Sequence, residues 1–338
     1  MTLTVQREDP ARLEAEWRDL LPHCAYASVF LSPTWLKTWW DVFARGGARD
    51  LIVLGARRGS ALAGVVPLMR EGDRLSFAGD TNVCDYMDFP CAAGDEPALL
   101  AATLRSLAPS AHPEPVEGWR ELELWALRED SAALAALPAV CAELGLNLVV
   151  EVEDVCPQIN LPSAADGWEG YLASLDKKDR HELRRKLRKL PQAGVVGFEA
   201  LDQPPDVEAA LDDFVRMYAA SRSDKAAFLT PEQERFLRRI AVALSAEGLA
   251  EITFLTLNGR RVAGVLSFRG EGEVLLYNSG YDPAYAGFSV GLLSKALTLQ
   301  RAIEQGRRKF DFLRGPEPYK YDLGAKDLTV YRCLIRRS

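Results

Sequence analysis

The sequence predicts a mixed α/β protein made of two similar halves, each a twisted, mostly antiparallel sheet flanked by helices. Three observations lead to this fold class. Segments with helix-like and strand-like apolar spacing alternate along the chain, and strand pairs joined by glycine turns interrupt the alternation. The third observation is an internal repeat. The hairpins favour a mixed sheet over a doubly wound parallel sheet.

The repeat consists of short words that recur in the same order. FLSP begins at Phe30 and FLTP begins at Phe228, while AGV occurs at 63–65 and again at 263–265. In both halves a Ser/Thr-Pro helix start is followed by an apolar strand, a glycine turn, a second strand, a short polar turn and a third strand. Because the order of the elements repeats as well as the words, we expect a duplicated fold.

We expect the duplication to give two domains, at 1–155 and 156–338, with the basic helical segment 166–191 at their junction. A chain of 338 residues has enough apolar material for two hydrophobic cores. In the first half, apolar spacing predicts helices near 10–20, 34–45, 95–107 and 130–144, and strands near 51–56, 61–68, 74–78, 120–125 and 147–153.

In the second half the same reasoning gives a parallel series of elements. Apolar residues recur at helical spacing after Asp206, and a further helix starts at Pro231. We expect helices near 206–221, 231–247 and 290–305, and strands near 195–200, 251–257, 261–268, 273–279, 309–313 and 328–335.

The charge and composition disfavour several function classes. The net charge is −7, from 41 basic and 48 acidic residues, which argues against a general nucleic-acid binder. No apolar run approaches the roughly 20 residues of a membrane span. The N-terminal residues lack a basic cluster followed by an apolar segment, so we expect no signal peptide and a cytoplasmic protein. The six cysteines form no Cys-x-x-Cys pair and the three histidines lie far apart, so we expect no metal.

Three stretches carry a resemblance to a known family. They are KKDRHELRRKLRKL at 177–190, YDPAYAGFSVGLLSKALTLQRAIEQG at 281–306 and FDFLRGPEPYKYDLGA at 310–325. The chain resembles tandem GNAT proteins related to Fem-type peptidyltransferases. More closely, it resembles the GNAT-type acetyltransferase-like branch associated with bacterial cellulose and polysaccharide synthesis. The resemblance implies two tandem GNAT-like domains and an acyltransferase activity.

The segment from Gly287 to Gly291 matches the G-x-S-x-G pattern of serine hydrolases. That pattern needs a histidine after the serine, and none follows His181, so such a hydrolase is excluded. The better interpretation is a helix start with Ser289 as the cap candidate, whose free N–H groups suit a phosphate. The resemblance implies that Ser289, Val290 and Gly291 bind the pyrophosphate of acyl-CoA. The chain departs here from the family's Q/R-x-x-G-x-G/A loop, since neither Gln nor Arg stands at its start, and a plain capped helix is the alternative.

The basic stretch Lys177–Lys189 holds eight basic and two acidic residues. At helical spacing its leucines form one face and its basic residues another. Arginine forks bind phosphate or carboxylate at two points, so Arg180 and Arg184 are candidates for holding an anionic substrate. The solvated face of an amphipathic linker helix and a tRNA-binding surface are the alternatives.

The stretch around Tyr319 and Lys320 is the candidate catalytic segment. Arg314 and Gly315 would place a guanidinium and a bare backbone at the end of a strand, as candidates for binding the acyl carrier. A tyrosine can protonate the leaving group of an acyl transfer, and a nearby ammonium would steady the developing negative charge. We therefore expect Tyr319→Phe and Lys320→Ala to fold normally and lose turnover. The alternative is a Tyr-Lys pair that only packs the C-terminal strand.

A general base is harder to choose. Asp85 follows the third strand of the first half, and the resemblance implies that it and Tyr86 face the acceptor, with Asp85 as the catalytic base. A loop acid that only caps a turn is the alternative. By the same resemblance, Tyr277 and Asn278 lie on a strand that splays from its neighbour, where they would contact the acceptor.

These observations together favour an N-acyltransferase. The expected donor is acetyl-CoA or another acyl-CoA, and the expected acceptor is the amine of a small polar molecule such as an amino sugar or amino acid. A Fem-like aminoacyl transferase that uses charged tRNA, and a non-catalytic tandem scaffold, remain as alternatives. We expect no nucleic-acid or membrane partner, and a monomer or homodimer.

Overall fold

The computed structural model describes residues 3–44, 47–107, 118–221 and 229–337. The chain folds into two compact units. Unit 1 consists of Met1–Asp154 and Leu328–Ser338, and unit 2 consists of Val155–Asp327. Each unit has a core of its own, around Trp17 and Val65 in unit 1 and around Leu293 and Phe310 in unit 2.

The helices of unit 1 begin where the sequence supplies a cap. The side chains of Asp9, Ser32 and Ser131 accept hydrogen bonds from the first turns of α1, α2 and α4, and proline follows the first two caps directly. The helices are α1 (Pro10–Leu20), α2 (Pro33–Trp39, continued by a π-helical turn at Trp40–Ala44), α3 (Glu96–Ser106) and α4 (Ala132–Leu144).

The strands of unit 1 form a sheet in the order β1-β2-β3-β4-β5-β12. They are β1 (Thr4–Arg7), β2 (Asp50–Arg58), β3 (Ala61–Glu71), β4 (Arg74–Phe77), β5 (Glu121–Arg128) and the last strand of the chain, β12 (Lys326–Arg336). Strands β4 and β5 run parallel, whereas the pairs β1–β2, β2–β3, β3–β4 and β5–β12 run antiparallel. The strand β6 (Asn147–Asn160) passes from unit 1 into unit 2.

Six α-helices of unit 2 lie among the described residues. They are α5 (Gly167–Ser174), α6 (Lys177–Lys189), α7 (Pro204–Ser221), α8 (Pro231–Ala246), α9 (Val290–Glu304) and α10 (Pro318–Asp322). Helix α8 begins with a capping box in which Thr230 and Gln233 bond each other's backbone N–H groups.

The sheet of unit 2 runs in the order β7-β8-β9-β10-β11-β6. Its strands are β7 (Val196–Leu201), β8 (Ala250–Leu257), β9 (Arg260–Arg269), β10 (Glu273–Tyr281), β11 (Lys309–Asp311) and the end of β6. Strands β10 and β11 run parallel, as β4 and β5 do in unit 1. The repeat is therefore visible in the structure: from β1 to β6 and again from β7 to β12, the described elements follow the order β-α-α-β-β-β-α-β-α-β.

The last strand of each repeat completes the sheet of the other unit. In unit 1, the position beside β5 is taken by β12, which pairs with it from Val330 to Arg336. In unit 2, the position beside β11 is taken by residues 158–160 of β6. The sequence prediction assigned residues 328–338 to the C-terminal domain, but their strand pairing places them in unit 1. The domain limits expected at 155 and 156 therefore describe the order of the repeat and not the composition of the units.

Most predicted elements lie within a few residues of their observed bounds. Two differ in form. The strand expected at 309–313 ends at Asp311, because Leu313 adopts a left-handed backbone conformation with φ 59°. The helix expected at 34–45 changes to a π-helical turn after Trp39. Phe228, which opens the second repeat word, lies outside the described residues.

Candidate functional site

Strands β10 and β11 part from each other inside unit 2. Their parallel pairing runs from Glu273 with Lys309 to Leu275 with Asp311 and stops there. Strand β10 nevertheless continues to Tyr281, paired on its other side with β9. A bulge at Tyr277, between Leu276 and Asn278, kinks β10 just beyond the last pair. The two strands therefore form a fork.

A cavity of about 260 Å³ lies at this fork, and we call it the fork cavity. The start of α9 and the C-terminal part of β10 supply most of its wall, and single residues of α7, of α10 and of the segments before α9 and α10 supply the rest. It is lined by Ser221, Ser279, Tyr281, Ala286, Ser289, Val290, Gly291, Leu292, Lys295, Glu317 and Tyr319. All of these residues belong to unit 2.

The start of α9 is a sharp corner at the cavity wall. Ser289 stands at the N-cap with φ 58° and ψ 32°, and its carbonyl accepts from the N–H groups of Leu292 and Leu293, each at 3.0 Å. Its side chain makes no capping hydrogen bond to the described residues, so the expected cap is a backbone cap only. The N–H groups of Val290 and Gly291 precede the first hydrogen bonds of the helix, and both residues line the cavity.

Gly291 is needed for the close approach of α9 to β10. A Cβ atom at this position would lie 2.7 Å from the Cδ1 atom of Tyr281, well inside van der Waals contact. Both residues line the fork cavity. The glycine expected in the first helical turn therefore sets the width of the cavity at that point.

Lys295 is a buried cation in the cavity wall, and the sequence analysis missed it. Its side chain is 8% exposed, and its Nζ atom donates to the carbonyl of Gly291 at 2.7 Å. The ammonium lies 4.7 Å from the centroid of the Tyr319 ring. The signal was present in the sequence, since Lys295 is the one charged residue in the otherwise apolar and small-polar start of α9, VGLLSKALTL.

Tyr319 lies in the wall of the cavity, on the short helix α10 and not in an open loop. Its ring packs edge-on against Phe312, with centroids 6.1 Å apart. Glu317, the residue before α10, also lines the cavity. A phenol, a carboxylate and the Lys295 ammonium therefore share one small space.

Lys320 is buried against the loop that follows β11. The side chain is 2% exposed, and its Nζ atom donates to the carbonyls of Leu313, Arg314 and Gly315 at 2.7–2.8 Å. It also forms an ion pair with Glu317 at 2.9 Å. An ammonium has three N–H donors, and these carbonyls use all three. The contacts favour an anchoring role for Lys320 over the direct contact with the acyl group that the sequence suggested.

The loop held by Lys320 has an unusual backbone. Leu313 has φ 59° and Gly315 has φ 102°, and Asp311 accepts from the N–H of Leu313 at 2.7 Å. Side chains rarely adopt φ values in this range, so the conformation needs support from its surroundings. Arg314 and Gly315 are not among the described residues that line the fork cavity. Their predicted role in binding the acyl carrier stays a prediction.

The two residues expected to contact the acceptor in the first half lie in unit 1. Tyr86 is fully buried, with its ring edge-on to Phe30 at 6.3 Å and the guanidinium of Arg128 5.0 Å from its centroid. A fully buried ring offers no surface to a substrate. Asp85 beside it is half-buried, and its role as base stays a prediction.

Tyr277 and Asn278 lie at the bulge of β10, where the splay was expected. Both are half-buried, and the Tyr277 ring packs on Phe268 with centroids 4.8 Å apart. The next residue, Ser279, lines the fork cavity. The bulge therefore positions the cavity wall, and contact of these two side chains with an acceptor stays a prediction.

The two arginines chosen on α6 have protein partners. Arg180 donates to the carbonyls of Ala173 and Leu175 at 3.2 Å. Arg184 forms a salt bridge with Glu169 at 2.5 Å. The contacts of Arg180 close the turn between α5 and α6, and the salt bridge of Arg184 joins the same two helices. Both side chains therefore stabilise the structure, whether or not they also contact a substrate.

Comparison with known families now identifies part of the chain. Residues 177–321 match the model of the acetyltransferase (GNAT) domain. The match covers less than half of the chain and shows a GNAT acetyltransferase-like domain in this segment. The matched segment contains every described residue that lines the fork cavity. No curated protein matches the chain by sequence.

Solved structures extend the similarity over the whole chain at the level of the fold. FemX is similar with a TM-score of 0.65 and 12% identity, over 97% of this chain and 96% of FemX. L-PGS from Bacillus licheniformis is similar with a TM-score of 0.58 and 16% identity, over 98% and 93%. A tandem GNAT protein from the clavulanic acid biosynthesis pathway is similar with a TM-score of 0.51 and 13% identity, over 98% of both chains. The predicted fold, two GNAT-like domains in tandem, is confirmed.

Residues 3–44, 47–107, 118–221 and 229–337 show neither a membrane-spanning helix nor a metal-binding cluster. Within these ranges, no helix is both long enough and apolar enough to cross a membrane. The same ranges contain no group of three or more His, Cys, Asp or Glu side chains that could hold a metal ion.

Proposed function

We propose that the protein is an N-acyltransferase that moves an acyl group from acyl-CoA to the amine of a small polar acceptor, with its reacting centre at the fork cavity of unit 2. One observation carries this proposal. Within the GNAT domain, a cavity lies where β10 and β11 part, at the start of α9, and a tyrosine, a glutamate and a buried lysine line it. This is an arrangement in which a thioester and an amine can meet polar groups in a partly enclosed space.

The residues of the cavity suit the proton transfers of the reaction. Acyl transfer to an amine breaks the bond from the acyl carbon to sulfur, forms a bond from that carbon to nitrogen, removes a proton from the amine and delivers one to the leaving thiolate. Tyr319 is the proposed acid for the thiolate. Glu317 lines the same cavity and is the candidate for the base there.

The charges around the cavity suit the other demands of the reaction. Negative charge develops on the acyl oxygen and then on sulfur, and fixed N–H groups and cations stabilise it. The Lys295 ammonium supplies one such cation from a buried position. The first turn of α9 offers N–H groups and the positive end of a helix dipole, which suit a phosphate of the carrier.

The test is acetyl-CoA-dependent release of free thiol with a panel of amino sugars and amino acids, together with thermal unfolding in acetyl-CoA. A ligand at a hundred times its Kd adds about 2.7 kcal/mol to the stability. Tyr319→Phe should lower kcat by roughly 10²–10⁴-fold with an unchanged melting temperature, because only a hydroxyl is lost. Tyr321→Phe is the matched control, since the Tyr321 hydroxyl donates to Asp327 at 2.7 Å.

Three results would contradict the proposal. If millimolar acetyl-CoA gave neither a thermal shift nor thiol release, acyl-CoA would be excluded as the donor. Equal loss of activity in both tyrosine variants would exclude a special role for Tyr319. Binding without turnover on any amine would favour the non-catalytic scaffold.

A second donor is favoured by the sequence of the cavity loop. The residues from Tyr281 to Gly291 lack the Gln or Arg that begins the acyl-CoA loop in the resembled family. An aminoacyl group carried on tRNA would not need that loop. The same assay with charged tRNA in place of acetyl-CoA separates the two donors, because only the true donor supports transfer to the amine.

A further inference from the structure

Helix α6 presents one strongly basic face to solvent. Seven positions lie within about 140° of one another at 100° per residue. They are Lys177, Lys178, His181, Arg184, Arg185, Arg188 and Lys189, and all are exposed. On the opposite face, Leu183 and Leu190 are buried in the core of unit 2. The helix belongs to a chain with a net charge of −7, so the concentration of positive charge is local.

The protein's own acids neutralise only part of this face. Glu182 pairs with Arg185 at 2.7 Å and with Lys186 at 3.4 Å, and the hydrogen bond from Arg185 lowers the pKa of Glu182 to about 2. Arg184 pairs with Glu169. Four side chains on this face have no hydrogen-bond or ion-pair partner among the described residues. They are those of Lys177, Lys178, His181 and Arg188.

Helix stability does not account for these charges. Cations stabilise the last turn of a helix and destabilise the first turn, because the helix dipole is positive at the N-terminus. Arg188 and Lys189 fit that rule, but Lys177 and Lys178 stand in the first turn, where the dipole opposes them. Positive charge along the whole length of α6 therefore calls for an explanation other than the helix itself.

The C-terminal end of α6 contacts the loop that borders the fork cavity. The Nζ atom of Lys189 donates to the carbonyl of Gly287 at 3.0 Å and lies 5.5 Å from the centroid of the Phe288 ring. The residues on both sides of this contact, Ala286 and Ser289, line the cavity. A molecule that reaches the cavity across this loop would pass the end of the basic face.

We propose that the exposed basic face of α6 binds phosphate groups of the acyl carrier whose acyl end enters the fork cavity. The proposal rests on the proposed function for the position of the acyl end. Lysine and arginine on a solvated helix are the ordinary ligands of phosphate. Thirteen residues at about 1.5 Å each give a surface of roughly 20 Å, enough for more than one phosphate. The occupant that we propose is coenzyme A, the carrier in the proposed function. The acceptor end of a tRNA has the same phosphate chemistry and is the alternative that the test separates.

The variant that tests the proposal is Lys177→Glu/Arg188→Glu, which reverses two charges that have no partner among the described residues. The matched control is Arg12→Glu/Arg235→Glu, with the same change of net charge at two exposed arginines, one in α1 and one in α8. The probes are coenzyme A, adenosine 3′,5′-bisphosphate, S-acetylpantetheine and deacylated tRNA, measured by calorimetry at low and moderate salt.

We expect the double reversal to weaken binding of coenzyme A and of the bisphosphate by tenfold or more, to reduce the salt dependence of that binding and to leave S-acetylpantetheine unaffected. The control should change binding less than twofold. Loss confined to tRNA would overturn coenzyme A as the occupant of the basic face.

Unchanged binding of every phosphate-bearing probe in the double reversal would overturn the proposal. So would equal weakening in the control, which would indicate a general effect of net charge, or no binding of any such probe by the unmodified protein. The bisphosphate carries no acyl group or pantetheine arm. If its binding depends on α6 while acetyl-CoA supports no transfer, the proposed function fails and this inference stands.

Discussion

Units 1 and 2 follow the same order of elements but use the space beside their parallel strand pair differently. In unit 2, β10 continues past its pairing with β11, and the fork cavity lies there. In unit 1, β4 ends at Phe77, and the segment that follows it forms backbone hydrogen bonds to β5 and to β3. Met87 donates to Ala126 of β5 at 3.1 Å, and Pro90 accepts from Val65 of β3 at 2.8 Å.

The segment after β4 is packed with large buried side chains. Tyr86, Met87 and Phe89 are each less than 5% exposed, and Phe89 packs on Phe77 with ring centroids 5.0 Å apart. The same order of elements therefore gives two different local structures. In unit 2, the long strand β10 and the start of helix α9 border a cavity. In unit 1, the short strand β4 is followed by an apolar segment that fills the corresponding space with core side chains.

The largest expected effect comes from Gly280→Ala in β10. A Cβ atom here would meet the backbone of Met217 and Tyr218, 2.5 Å from the carbonyl carbon of Met217. Backbone atoms cannot move aside as a side chain can, so we expect unit 2 to lose about 3 kcal/mol or more. Hydrogen exchange read separately for the two units should show faster opening of unit 2 only. Equal loss of protection in both units would contradict the comparison.

Lys320→Met should have the next largest effect. The change leaves three buried carbonyls without their donor, at a cost of about 1–3 kcal/mol or more, and it frees the loop at Leu313. We therefore expect a lower melting temperature as well as lower activity, in contrast to the sequence-based expectation that Lys320 variants fold normally. Thermal unfolding of Lys320→Met beside Lys326→Met, a change at an exposed lysine, measures the difference. A stable but inactive Lys320→Met would restore the direct catalytic role.

The repeated glycines of the AGV words offer a matched pair. At Gly264 a Cβ atom would lie 2.9 Å from the ring of Phe254, and at Gly64 it would lie 2.7 Å from the Cδ2 atom of Leu99. A leucine methyl can rotate away, while a packed ring cannot. We expect Gly264→Ala to cost about 2 kcal/mol and Gly64→Ala less than about 1 kcal/mol. Denaturant unfolding of both variants gives the order, and a larger cost at Gly64 would contradict it.

The smallest effect concerns the pH dependence of unit 1. Burial raises the pKa of Asp88 to about 6, from an ordinary value of 3.8. The folded chain then holds the proton to higher pH than the unfolded chain, so this group's contribution to stability falls as pH rises from about 4 through 6. Asp88→Asn should remove a decrease of roughly 1 kcal/mol between pH 5 and pH 8. Melting temperatures at the two pH values test this, and an unchanged pH slope would contradict it.

The elements of the fold could be predicted because their signals are local. Ser32 and Pro33, Thr230 and Pro231, and the glycine turns mark boundaries that depend only on neighbouring residues. The exchange of the last strands could not be predicted in this way. Each repeat ends in a strand that follows a parallel pair, and which pair that strand joins depends on contacts between residues far apart in the chain.

The candidate site was predicted in part for the same reason. Four of the predicted site residues line the fork cavity, namely Ser289, Val290, Gly291 and Tyr319. The short sequence patterns around them had indicated this region. Lys295 and Glu317 also line the cavity. The sequence did not point to them, because their position there depends on how helices and strands pack. The partners of Arg180 were not visible either, since carbonyls at the end of α5 carry no sequence signal.

The pairing of β12 with β5 has a consequence for synthesis of the chain. On the ribosome, residues 1–154 emerge before unit 2, yet the strand that covers β5 is made only after unit 2. Until residues 326–336 have been synthesised, β5 carries an open edge from Glu121 to Arg128, a template for wrong partners. A nascent chain released before Lys326 would therefore lack a strand in the unit that was made first, and not in the unit that was made second.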